Sequence, residues 1–399
     1  LQDLTGREED EATSRRIASR SVITRALQVA VDGAEPEQRV AQAQVFGPGV
    51  EALPVGDRER QAWADAVRAL EAGDRHGMAD AALKMGQGAE EQLHFGSADT
   101  CYYLASALAT EGMSIELATD AARFRARVFR RQGRWADSEQ HYERARALAQ
   151  ASHDHERHGL ILGGMAGLAR SRGNLPRTRE LLLVQLEIGE RERSAAVVGA
   201  AHHDLMALDK LCGDLEGSLI HGWEAVGSHV ELEAKLQALT DLAGVLTELG
   251  AYDGAEDGYT VVAARVAHQA YRIHALSGLA YIAALRGDRT AFEQRCAKVD
   301  QLGFGSLPEA MQAELLYERG LSYRSLGDDL AALRWLARAR DRSEVWGVNQ
   351  VLFDAEQAID EIRDGDRTVT RRSLEAPAGA LGAASTIEGG IRDLKRQLV

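Results

Sequence analysis

In the stretch "RRQGRWADSEQHYERARALA" (Arg130–Ala149), apolar positions recur at helical spacing on either side of one glycine, Gly133. That pattern predicts the end of one helix, a tight turn and the start of a second, antiparallel helix. The same turn recurs as "SRGNLPRT" at Gly173, "LCGDLEGS" at Gly213, "ELGAYDGA" at Gly250, "LRGDRTAF" at Gly287 and "SLGDDLAA" at Gly327. The intervals are 40, 40, 37, 37 and 40 residues. A period of this size marks a solenoid of helix pairs, because one pair cannot bury its apolar stripe alone.

The register extends into both helices of each unit. Seven residues before the glycine stand Ala126, Ala166, Met206, Ala243, Ala280 and Gly320; five residues after it stand Ser138, Thr178, Ser218, Ala255, Phe292 and Ala332. Five of six are small in each row, which predicts close approach of the two helices. Nine residues after the glycine come Tyr142, Leu182, Gly222, Tyr259, Cys296 and Leu336, mostly bulky fillers for the gap between repeats. Glycine suits the turn because it can take the left-handed conformation that closes a helix.

The small residue on the first helix, the Gly-Asp or Gly-Arg turn and the small-then-aromatic pair on the second helix resemble the tetratricopeptide repeat (TPR). The resemblance covers about residues 114–345, with a capping helix at Val348–Arg363. The units exceed the family's usual length of about 34 residues, as in longer TPR-like arrays of bacterial regulators, and most lack the terminal Pro and the early Trp. The resemblance implies an all-α, right-handed superhelical solenoid of stacked helix-turn-helix repeats, with a concave groove lined by the first helix of each pair.

The rest of the chain divides around that array. Residues 1–56 read as an N-terminal helix, about Asp10–Val31, and a linker at 32–56 that holds three of the six prolines. Residues 57–113 read as a degenerate repeat region, with a Gly-Asp turn at Gly73 and a helix within Ser97–Gly112 that begins on a capping serine. Residues 114–363 form the TPR-like superhelix and its capping helix. Residues 364–399 read as a flexible linker, rich in small residues as far as Ser385, followed by the short amphipathic segment "IEGGIRDLKRQLV".

Composition agrees with helix nearly throughout: six prolines in 399 residues and long Ala, Leu, Arg and Glu stretches. A net charge of -14 argues against general nucleic-acid binding, because a surface that repels phosphates forgoes counterion release. Cys101, Cys212 and Cys296 are far apart in sequence and lack metal-ligand spacing, so buried, reduced thiols are expected. No run approaches the roughly 18 apolar residues of a membrane span, and the charged N-terminus is unlike a secretory signal. A cytoplasmic protein is expected. The chain begins at Leu1 rather than Met, which leaves room for an upstream segment.

No P-loop, GxSxG, HExxH or EF-hand loop is present. The densest titratable cluster is "SHDHERHG", with His153, Asp154, His155, Glu156 and His158, joined a repeat later by His202 and His203. His155 and His158 could share a helix face around a metal. An inter-repeat loop in which Asp154 caps the next helix explains the cluster more simply. No catalytic residue, metal or cofactor is expected, and the chain reads as a non-enzyme.

In the TPR family, side chains about thirteen, ten, six and three residues before the turn face the groove. Carried onto this chain, the resemblance assigns partner contact to Arg123, Arg127, Arg130, Arg170, His203, Lys210, Gln237, Thr240, His274, Ser277, Tyr281, Tyr317 and Arg324. Arg123, Arg127 and Arg130 share one helix face by their spacing alone. The expected function is a non-catalytic scaffold or adaptor that holds a peptide or partner protein in the groove, the partner carrying an acidic segment or a C-terminal carboxylate. Self-association stays open. The alternative is the ligand- or peptide-sensing module of a bacterial transcriptional or signalling regulator.

Overall fold

The computed structural model describes residues 57–91, 94–111, 114–365 and 378–399, with Gln28 the one described residue of the N-terminal 56. The expected helix at Asp10–Val31, Gln28 aside, and the linker at 32–56 lie outside the described residues. Among the described residues the chain is all-α, with seventeen α-helices, one short 3-10 turn and no strand. It divides into two compact units, Leu1–Glu192 and Arg193–Val399.

The first unit contains α1 (Asp57–Ala72), α2 (Arg75–Glu91), α3 (Phe95–Glu111), α4 (Ile115–Arg131), α5 (Trp135–Ala151), α6 (His155–Ser171) and α7 (Leu175–Glu192). The second contains α8 (Ala195–Cys212), α9 (Leu215–Ser228), α10 (Leu232–Glu248), α11 (Tyr252–Arg265), α12 (Gln269–Leu285), α13 (Arg289–Gln301), α14 (Glu309–Ser325), α15 (Asp329–Trp346), α16 (Asn349–Arg363) and α17 (Ala378–Leu398).

All six periodic glycines sit at turns within helix pairs, with φ from 71° at Gly133 to 79° at Gly213. Where an Asp or Asn follows, the turn is doubly specified. The glycine closes one helix in the left-handed region, and the next side chain caps the following helix: Asp214 accepts from the Gly217 N–H, Asp288 from Ala291, Asp328 from Ala331 and Asn174 from Arg177. The small residues before and after the turn do meet, and the hydroxyls there serve a second purpose. Ser138 donates to the Ala126 carbonyl at 2.8 Å, Thr178 to Ala166 at 3.4 Å and Ser218 to Met206 at 3.0 Å. Each such bond ties the second helix to the first at its narrowest point.

Bulky residues nine positions after the turn fill the space to the next repeat. Tyr142 is 1% exposed and Tyr259 5%. Each enters a gap left by a glycine nine residues before the following turn, Gly164 and Gly278 respectively.

The phase of the earliest repeat differs from the expected one. Gly73 does lie at a turn between antiparallel helices, with φ 68°. However, α2 packs chiefly on α3 and also touches α4, as first helices do further along. Gly73 therefore belongs with the turns between repeats, where His153 and Arg193 take the same left-handed conformation at φ 55° and 54°. The first full pair is α2 and α3. The helix expected from Ser97 begins earlier, at Phe95. Asp154 caps α6 as expected, accepting from the Arg157 N–H at 2.9 Å, and α16 spans the predicted capping helix.

Two expectations are corrected. Cys101 is buried, but Cys212 is exposed and Cys296 half-buried, because Cys212 is the last residue of α8. The segment from Ala378 is helical rather than a linker: its glycines and alanines let the backbone of α17 approach α9 and α11 closely, and Ala380, Ala384, Ile387 and Ile391 are buried there.

A Cβ at Gly278 would lie 2.5 Å from the Tyr259 ring. Gly278→Leu is therefore expected to overpack the α11–α12 contact and cost roughly 1–3 kcal/mol, read as a lower urea midpoint.

Candidate partner-binding surfaces

In the first unit, the first helices α2, α4 and α6 touch in series, so side chains on their common side meet across repeats. Arg157 of α6 reaches Asp120 of α4 at 3.0 Å, and Arg127 of α4 reaches Glu90 of α2 through both Nε and Nη2, at 2.6 and 2.7 Å. Glu90 is 3% exposed. It also accepts from the Tyr102 hydroxyl at 2.9 Å and faces Arg131 at 3.5 Å. Arg123 donates to Asp120 at 3.1 Å and lies 4.4 Å from the centre of the Phe124 ring. Arg130 lies against Gly167 and interacts with the Tyr142 hydroxyl. Three arginines, Arg123, Arg127 and Arg131, thus share two carboxylates, Asp120 and Glu90, the first of them also engaged by Arg157, and Arg130 stands beside them.

The four cations are not equivalent. Burial works against the charge of Arg127, but the two bonds to Glu90 outweigh it and leave the group above its usual range. For Arg123 and Arg131 burial dominates and pulls the guanidinium below its usual range. The Nε atoms of Arg123 and Arg130 are buried and without a partner among the described residues. Arg123 and Arg131 are thus held less firmly by their acids than Arg127 is by Glu90. Arg170, on the next first helix, is half-buried.

The second unit treats its cations differently. His203 meets Asp241 at 2.8 Å, Lys210 meets Glu248 at 2.5 Å and Arg324 meets Glu361 at 2.8 Å. In each case the acid stands 37 or 38 residues further on, about one repeat. His274 faces Glu314 and Glu318, two carboxyls that burial holds above the usual range. Tyr281 and Tyr317 are half-buried nearby; burial pushes the Tyr317 hydroxyl up to about 12. Thr240 is buried, and its hydroxyl bonds the Leu236 carbonyl. Gln237 is half-buried, and Ser277 lines a cavity of about 10 Å³ beside Glu318 and Cys296.

Of the predicted residues, Arg123, Arg127 and Arg130 lie together on α4, and Arg170 stands on α6. Glu90, Tyr102 and Arg131 were missed. The signal was present: Glu90 and Tyr102 stand 40 residues before Arg130 and Tyr142, one period upstream. The glycine that marks the other repeats has no counterpart at residues 92–94 of the sequence. His153, His155 and His158 line an open cavity of about 350 Å³ with Asp154, Glu187 and Arg191. Among the described residues, no three His, Cys, Asp or Glu side chains converge as metal ligands would.

Stacked pairs with glycine-closed turns define an α-helical repeat protein. Residues 117–188, within α4 to α7, match the tetratricopeptide repeat family model. No curated protein matches the chain. Two solved structures are similar in fold. BtubC (BKLC) from P. vanneervenii is 16% identical, with 67% of this chain and 91% of that one covered and a TM-score of 0.37. A Rap protein complexed with Competence and Sporulation Factor is 15% identical, with 89% and 98% covered and a TM-score of 0.47. Likenesses this remote carry no functional inference. No described helix is long and apolar enough to cross a membrane.

Because the folded-state pKa of Glu318 is raised, the native state holds that proton more tightly than the unfolded chain. Its contribution is favourable at low pH and is lost as pH rises through the folded value. Glu318→Gln is thus expected to stabilise the protein at pH 7 relative to wild type. That advantage should vanish in acid, where wild type is protonated, as read by urea midpoints at both pH values.

Proposed function

We propose that the chain is a non-catalytic protein-interaction scaffold whose first-helix face in the first unit binds an acidic segment or a chain-terminal carboxylate. Tetratricopeptide repeats at 117–188 support the interaction role. The observation that carries the ligand chemistry is the surplus of buried guanidinium charge on α4, with the Nε donors of Arg123 and Arg130 unpaired. A carboxylate would relieve it, because planar guanidinium forks bind carboxylates through two parallel bonds. Arg127 is the exception: Glu90 already occupies its fork, so it serves to hold α4 against α2. In the second unit Tyr281 and Tyr317 offer aromatic surface, while His203, Lys210 and Arg324 are each matched by an acid and add no net positive charge.

The reading is tested with short peptides ending in Asp-Glu, with a free or an amidated C-terminus, titrated by calorimetry at low and high salt. The free acid is expected to bind more tightly, and to weaken with salt, because half-exposed pairs are screened over a Debye length of about 8 Å at physiological ionic strength. Arg131→Glu combined with Arg170→Glu should reduce affinity at least tenfold and flatten the salt dependence. Unchanged affinity in a folded double variant would remove the face from consideration.

A further inference from the structure

The C-terminal helix α17 does not extend the stack of pairs. It lies along α9 and α11, the second helices of two adjacent repeats, and runs parallel to both: Gly379 meets Glu216 and Gly390 meets Trp223 on α9, while Glu388 meets Gly254 and Leu398 meets Arg265 on α11. Its buried positions are Ala380, Ala384, Ile387 and Ile391, continued by the partly buried Leu394 and Leu398. Spacings of four, three, four, three and four form the narrow seam of a coiled coil rather than the broad face of a core helix.

Polar contacts fix its register. Glu388 accepts from the Gly254 N–H at 3.2 Å, in the first turn of α11, where backbone donors lack intrahelical partners and the helix dipole favours an anion. Lys395 meets Asp257 at 2.6 Å, with Arg392 at 4.0 Å from the same carboxylate. The seat therefore recognises a helix by an apolar seam, an acid beside it and bases one to two turns later.

We propose that α17 is a releasable latch, and that its seat between α9 and α11 is a helix-binding groove closed by the chain's own terminus. The groove's second occupant is a partner helix with the pattern of α17. Three observations support release. Only Ile387 and Ile391 are large side chains buried in the seam, with Leu381 52% exposed on the same helix. α17 packs on α9 and α11 and is a member of no helix pair of the array, so its departure breaks none. The remaining buried side chains of that core, such as Leu239, Leu242, Val261 and Val262, come from the repeats themselves. A tether keeps α17 at high effective concentration, so a competitor must match its pattern to displace it. This groove lies on second helices and is independent of the arginine cluster in the first unit.

The test uses the full chain and a labelled peptide of residues 378–399, followed by fluorescence anisotropy. A chain carrying Ile387→Asp and Ile391→Asp has an open latch and is expected to bind the peptide at least tenfold more tightly than wild type. A peptide carrying the same two changes is expected to bind neither chain. If the double variant keeps its helical circular dichroism yet binds no peptide, or if wild type binds equally well, the proposal fails. Should the double variant unfold, Lys395→Glu in the chain provides the second route: it is expected to raise peptide affinity severalfold, and an unchanged value overturns the latch. A wild-type dimer that dissociates on addition of peptide would show α17 exchanged between two copies, and would overturn closure within one chain.

Discussion

The structure depends on how closely the two helices of each pair approach. At the height of Ala126 and Ser138 the side chains are small enough for a hydroxyl of one helix to bond a backbone carbonyl of the other. The same contact recurs at Ala166 with Thr178 and at Met206 with Ser218. Close approach at one end of a pair opens space at the other. The tyrosines nine residues after the turn fill that space, and the glycines Gly164 and Gly278 of the following helices accommodate them. The repeats are thus coupled by complementary sizes at fixed positions, and the small, Ala-rich core follows from that arrangement.

The same geometry organises charge. Because equivalent residues of adjacent first helices are about one repeat apart, a side chain on one helix finds its partner 37 or 38 residues away. In the second unit the sequence supplies an acid at that distance for His203, Lys210 and Arg324. In the first unit two carboxylates, Asp120 and Glu90, serve three arginines of α4, and Asp120 is shared with Arg157 as well. The two units thus differ in how completely their first-helix arginines, lysine and histidine are paired across repeats. Charged groups of this kind, partly removed from water, are costly without partners.

Periodicity by itself determined the all-α class, the six turns and the pairing of helices from α4 onward. A glycine that must be left-handed and a following Asp that must cap are local constraints written at fixed spacing. The repeat of α2 and α3 lay beyond reach of that signal because no glycine stands in the sequence between the two helices, at 92–94. Helical spacing assigns a residue to a helix face, which is a local property, whereas charge balance depends on what stands one repeat away. Only the folded contacts showed that Glu90 holds Arg127 through two bonds, while burial pulls Arg123 and Arg131 below their usual range. The fate of the terminus was likewise tertiary. Its small residues read as a linker through Ser385 when taken alone, and from Ala378 onward form a helix whose Ala380, Ala384, Ile387 and Ile391, continued by Leu394 and Leu398, pack on α9 and α11.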